Sequence, residues 1–417
     1  QGNSQNHIVL TSSAADPDNF YALRADGLFS VYKFAMNNDA NDLVRETTIS
    51  GYNSQGGYNQ CLAVAPVDKD FIIVGGVNGY KSTNNGVSFS MMLNAYNNPV
   101  GVGFYVHPDH HYLSFLADNV TVINGHDGGL HKGSINATNV SEWADLSNGL
   151  LITQPYNISI TQGINGDDYM MGNQDNDGFS KVYQTDANKW VSCLAGDGTS
   201  TGIDIENSAI RYLGGTKGTL YRADNGYADG YNKATRILSG DTNAAFISPL
   251  SLHPNVAATI YAGDSDVKKS INKGGTGQAG DWAALNSGLT ETEFLDVSLM
   301  DVNDNASVRI FAIGKSGDNS TLKGSFNDGA TWATVASPAD VTINSIYGVP
   351  NTDVVYATVS GYTSGKKVYK SSDSGDNWSD ISGDLPNIIA YKIILDPNQG
   401  NETLYLATEL GLYFTNN

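Results

Sequence analysis

Cysteine is nearly absent: Cys61 and Cys193 are the only two in 417 residues. They fall in segments far apart along the chain, so we expect two buried thiols and no disulfide bridge. Basic residues are scarce too, 23 Lys and Arg against 43 Asp and Glu, for a formal charge of −20. Neutralising phosphates takes clusters of Lys and Arg, and none is visible, which argues against a nucleic-acid partner and leaves an acidic, solvated surface as the plain reading. No apolar run approaches the ~20 residues of a membrane-spanning helix. No Ser/His/Asp order, phosphate-cradling glycine loop or Cys/His zinc spacing is found. The chain opens on Gln1 with a polar run, which is compatible with a processed, exported protein whose leader has been removed.

Turn-forming chemistry is abundant instead. There are 46 Gly, 23 Tyr and only 11 Pro, a composition suited to short strands joined by tight turns. One stretch recurs. Ser371, Asp373, Gly375 and Trp378 are matched at the same offsets by Ser325, Asn327, Gly329 and Trp332, and again by Ser82, Asn84, Gly86 and Phe89. In such a turn the Asx side chain bonds its own backbone, glycine supplies a positive φ, and the aromatic returns on the next strand to cover the turn. Looser copies follow Ser270 (Asn272, Gly274, Trp282), Ser134 (Asn136, Trp143) and Thr185 (Asp186, Trp190). All five tryptophans should therefore start a fourth strand and pack over their own turn.

Between these turns, strand-length apolar or alternating runs group into units of about 40 to 55 residues, the spacing of four-stranded propeller blades. The units run about 7 to 49, 60 to 95, 102 to 146, 156 to 194, 202 to 239, 246 to 285, 294 to 336 and 343 to 381, with a partial ninth over 390 to 417. The fifth is the most degenerate and has no closing aromatic. A solenoid is the alternative, but its coils are shorter and do not need four strands each. The expected fold is all-β: one propeller domain over 1 to 417 with about eight four-stranded antiparallel blades, seven to ten being admitted.

The repeated turn resembles the Asp-box, or BNR, repeat of sialidase-like and sortilin-like β-propellers. The order from 102 to 178, D-H-H, then G-x-D-G-G-L, Q-P-Y and G-N-Q-D-N, resembles large secreted propellers of Bacteroidota labelled glycosidase-like or sortilin-like. This resemblance implies export or cell-surface location, and further domains of a longer chain are compatible with it. It brings no catalytic role. Sialidases of this fold use three arginines with a Tyr/Glu pair, yet the six arginines here show no such triad and no Arg-Ile-Pro motif. Two-propeller endoglucanases such as xyloglucanases use two aspartates. Asp26, in Arg24 to Gly27, resembles the surroundings of one of them, and no second partner is seen.

Two polar groups remain as site candidates. Asp109, His111 and Asp127 could hold a metal or ligand, or hydrogen-bond neighbouring blades and lock their register. Asn173, Asp175, Asp177 and Gly178 form N-x-D-x-D-G, the front half of a calcium loop, but Gln184 stands where an EF-hand needs a bidentate Glu. A calcium-stabilised loop and ordinary Asx-turn chemistry both explain those residues. The first functional expectation is a non-catalytic binding or scaffolding module with a glycan or protein ligand at the propeller face. A glycoside hydrolase with paired carboxylates is the alternative.

Overall fold

The computed structural model of the protein describes residues 7–24, 29–36, 42–96, 103–134, 143–160, 168–181, 190–194, 196–228, 233–317, 319–338, 342–396 and 403–416. Among them there is no α-helix. The strands form nine antiparallel sheets in chain order, eight of four strands and a ninth of three. Nine stand where about eight were expected, because the partial last unit makes a sheet of its own from Ala390–Leu395, Leu404–Thr408 and Gly411–Thr415. Every ladder pairs sequence neighbours, which is the pattern of propeller blades.

The chain divides into two compact units, 1–153 and 154–417. The first carries three sheets, over 8–48, 61–93 and 110–145. The second carries six, over 155–194, 201–238, 250–284, 291–334, 343–380 and 390–415. Within each unit the first strands of successive sheets pack against one another.

Strand periodicity explains where the core sits. Successive side chains point to opposite faces, so a strand covered on both sides reads as a continuous apolar run. In Phe71–Gly75, Ile72 and Val74 join the cluster shared with the first sheet, whereas Phe71 and Ile73 join the cluster shared with the third. The seventh sheet repeats this: Ile310 and Ala312 face the sixth sheet, and Phe311 and Ile313 face the eighth. Each of the seven core clusters lies between two consecutive sheets of one unit. Cys61 and Cys193 are free and buried, and burial raises both thiol pKa values, that of Cys193 to about 12.

The repeated turns are organised by their serines. Ser371 Oγ donates to Asp373 Oδ1 at 2.7 Å and accepts from the Gly375 amide at 2.8 Å, while Asp373 Oδ1 accepts from the Asn377 amide at 2.8 Å. Ser325 and Ser82 make the same set with Asn327, Gly329, Asn84 and Gly86. Ser270 repeats the bonds to Asn272 and Gly274. Positive φ falls on two consecutive residues, for example Ser374 at 57° and Gly375 at 99°. Asn136, Thr185 and Asp186 lie outside the described residues.

The tryptophans, expected to pack over their own turns, also reach the preceding sheet. Trp282, Trp332 and Trp378 donate their indole N–H to Ile237 O, Leu285 O and Ala336 O of the preceding sheet, at 2.8, 3.0 and 2.9 Å. Each rests against the cluster between its own sheet and the one before. They are ties between sheets, with the turn glycine set on the preceding strand: a Cβ on Gly274, Gly329 or Gly375 would run into Ile237, Leu285 or Val335. Phe89 packs against the cluster of the first two sheets and Trp143 against that of the second and third, whereas Trp190 is exposed. The degenerate fifth unit does have an aromatic: Tyr227, fully buried, fills the cluster between the fourth and fifth sheets.

Candidate functional site

In the first unit the third sheet gathers five histidines. His126 pairs with His110 across adjacent strands, and a turn at Gly129 brings His131 back beside them. His126 Nε2 and His131 Nδ1 are 2.7 Å apart, so one of them carries the shared proton. His110 Nδ1 meets Asn124 Nδ2 at 3.0 Å, and the His107 and His126 rings stack at 5.8 Å. Burial is the main cause that takes His110 and His126 down to a pKa of about 3, which keeps both neutral near pH 7.

Beside them lie Asp109, His111 and Asp127, which the structure does bring together. Asp109, at φ 64°, accepts at Oδ1 from Asn59 Nδ2 and from Gln55 Nε2. Asp127 takes His111 Nε2 at 2.7 Å on one oxygen and the Tyr58 hydroxyl at 2.8 Å on the other. Burial, then the Asp127 charge, raises the Asp109 carboxyl above its ordinary range. Gln55, Tyr58 and Asn59 precede the second sheet, so these bonds tie the approach to that sheet onto the third.

In the second unit, Asn173, Asp175 and Asp177 share one turn. Asn173 Nδ2 donates to the Asp177 carbonyl at 2.9 Å. Asp177 accepts from Ser192 Oγ at 2.8 Å and from the Gly196 amide at 3.1 Å, so both of its oxygens serve the neighbouring strand. The Asp175 amide donates to Asp197 Oδ1 at 3.1 Å, and after burial the charges of Asp197 and Asp175 help push the Tyr156 hydroxyl up to about 12. Asp26 lies outside the described residues.

A further carboxylate, not singled out from the sequence, has the chemistry of a proton donor. Asp296 sits in Glu291–Leu299, the first strand of the seventh sheet, between Leu295 and Val297. Its Oδ2 accepts from the Gly348 amide at 3.0 Å. Burial raises its pKa to about 6, opposed by that bond and by the charges of Arg309 and Lys392. Tyr347 of the eighth sheet is in turn shifted upward, by burial and then by Asp296. A half-buried carboxyl near 6 is partly protonated at neutral pH, which is what a general acid requires. The visible signal was only an acidic residue between Leu295 and Val297 in a strand that also carries Glu291 and Glu293; what the sequence lacked was its surroundings, drawn from residues up to about a hundred positions away.

The nine antiparallel sheets fit a β-propeller. Neither a protein-family model nor a curated protein matches the sequence. Among solved structures, the crystal structure of a GH74 enzyme of Niastella koreensis is similar over 98% of this chain, at 16% identity and a TM-score of 0.53. This chain spans 60% of that protein's length. The GH74 xyloglucanase from Xanthomonas campestris is similar over 95% of this chain and 65% of its own, at 14% identity and a TM-score of 0.47. At these identities the likeness speaks for the fold.

Proposed function

We propose that this chain is an exported or cell-surface β-propeller that acts on polysaccharide as a glycoside hydrolase, with Asp296 as its general acid. The observation that carries the reading is the likeness of 98% of the chain to the Niastella koreensis GH74 enzyme. This favours the hydrolase over the non-catalytic binding module that the sequence first suggested. Glycoside hydrolysis needs one carboxyl held protonated to assist the leaving oxygen, and a second to act as base or nucleophile. Asp296 suits the first role because its desolvated carboxyl is poised near pH 6. Tyr347 and the exposed Lys392 beside it supply polar contacts for a sugar.

The test is release of reducing ends from a polysaccharide panel that includes xyloglucan. Turnover should fall as pH rises through about 6, where Asp296 loses its proton, and Asp296→Asn should lower it by at least ~10²-fold while glycan binding survives. Binding without turnover by the parent chain would restore the scaffolding module. Full turnover by Asp296→Asn would remove Asp296 from the chemistry.

A further inference from the structure

We propose that Arg309 is a positioning residue for Asp296: it holds the turn that follows Gly348 so that the Gly348 amide stays on the Asp296 carboxyl. The inference rests on the reading of Asp296 as general acid and names the part of the fold that fixes this acid in place. Asp296 and Ser298 stand two residues apart on the first strand of the seventh sheet, so both side chains take the face turned to the eighth sheet. Arg309 lies opposite Ser298 on the next strand and is fully buried. Each nitrogen of its guanidinium has an acceptor. Nε donates to Ser298 Oγ at 3.2 Å, Nη1 to Thr352 O at 2.9 Å and Nη2 to Val349 O at 3.1 Å.

Gly348 is where the two residues meet. It ends Ile343–Gly348, and its amide donates to Asp296 Oδ2 at 3.0 Å. A Cβ on Gly348 would stand 2.5 Å from Arg309 Nη2, 2.8 Å from Arg309 Nε and 2.8 Å from Ser298 Oγ, so no side chain fits while the guanidinium is there. Its φ is not positive, and close approach, not backbone freedom, is what calls for glycine. The guanidinium thus lies against the very residue whose amide serves Asp296, while Nη1 and Nη2 hold the carbonyls of Thr352 and Val349 just beyond it. A planar fork that reaches separate acceptors has no lysine equivalent. An amide that donates to a carboxylate favours its charged form. Burial drives the Asp296 carboxyl upward, and the Gly348 amide, followed by the Arg309 charge, is what opposes burial and leaves it near 6. A general acid has to give up its proton and regain it near its working pH, so the position of this amide sets where that happens.

Carboxyl NMR of the intact, aspartate-labelled protein, with the Asp296 signal assigned by Asp296→Asn, reads this titration without any substrate. In the parent the Gly348 amide signal should follow the titration of Asp296 near pH 6. Arg309→Lys keeps the charge and loses the fork: Asp296 should titrate roughly one pH unit higher, and the Gly348 amide should cease to follow it. Gly348→Ala, which crowds the guanidinium from the other side, should give the same result. Ser298→Ala removes the Nε acceptor alone and should give a smaller rise, which keeps the test open if Arg309→Lys does not fold. Arg211→Lys, at another fully buried arginine, should leave Asp296 where it is. Where the parent turns over polysaccharide, the falling limb of its pH profile should move up with the carboxyl in each of the first three variants. An unmoved titration in folded Arg309→Lys or Ser298→Ala would overturn the proposal. So would a rise in Arg309→Met that Arg309→Lys does not share, the sign of charge acting alone, or an equal rise in Arg211→Lys, the sign of general loosening. A parent that shows the expected shifts but turns over no polysaccharide would remove the hydrolase reading and leave the positioning of the carboxyl standing.

Discussion

The third sheet and the seventh share one plan of four antiparallel strands, yet they are closed by different chemistry. In the seventh, Ser325, Asn327 and Gly329 satisfy one another within the turn, and Trp332 reaches back to Leu285 O; none of these groups titrates near neutral pH. In the third, Trp143 packs on Gly133 with its Nε1 buried and unbonded, and the space between strands is filled by His107, His110, His126 and His131. A tie built on hydroxyl, amide and indole holds at any ordinary pH. A tie built on buried imidazoles holds only while they are neutral.

The largest test of this contrast is acid. The folded-state pKa values of His110 and His126 lie near 3, below the ordinary 6.5. Between those limits the unfolded chain binds protons that the folded sheet refuses, so stability is fully present above about pH 6.5 and is lost as pH falls toward 3. At pH 4 the first unit should have lost on the order of 3 to 5 kcal/mol through these groups. Hydrogen exchange at pH 7 and pH 4 should show the third sheet opening while the seventh stays protected. Equal protection of both at pH 4 would break the comparison.

Next in size is Trp332→Ala. The side chain is partly buried against the cluster between the sixth and seventh sheets, so its removal should cost about 3 kcal/mol, the lower end for a tryptophan. Denaturant midpoints at pH 7 and pH 5 should drop by the same amount, because nothing in this tie ionises. A drop confined to the lower pH would contradict the account.

Asp296 sharpens the comparison with the opposite sign. Its folded pKa is raised from 3.8 to about 6, so ionisation opposes folding: the penalty is absent below 3.8, grows as pH rises between the two values, and is complete above 6. Asp296→Asn should therefore stabilise the second unit by about 1 to 2 kcal/mol at pH 8, allowing for partial exposure, and by nothing at pH 3.5. Thermal melts of parent and variant at those two pH values decide it.

The smallest effect is expected from calcium at the turn of Asn173, Asp175 and Asp177. Asp177 already serves Ser192 and Gly196. Calcium should leave the melting temperature within about 1 °C of the chelator-treated protein because both Asp177 oxygens are engaged, whereas a site bound at one hundred times its dissociation constant would add about 2.7 kcal/mol. A rise of several degrees that disappears in Asp175→Asn/Asp177→Asn would establish a calcium site.

The sequence by itself determined what depends on near neighbours in the chain. Alternation and turn residues mark the sheets from the first unit to the ninth, and the hub bonds of Ser371 with Asp373 and Gly375 span only two and four residues, so the local pattern is enough to write them. The tertiary structure decided what depends on distance and desolvation. Trp378 finds its acceptor 42 residues away and Trp332 finds its own 47 away, and a period-2 pattern says which face a side chain takes but not which sheet covers it. Tyr227 fills an aromatic place from an unmarked turn because packing volume, not spacing, selected it. Asp296 is a solvated aspartate on paper and a carboxyl near pH 6 in the fold, since only the packed strands remove its water and place Gly348, Arg309 and Lys392 around it.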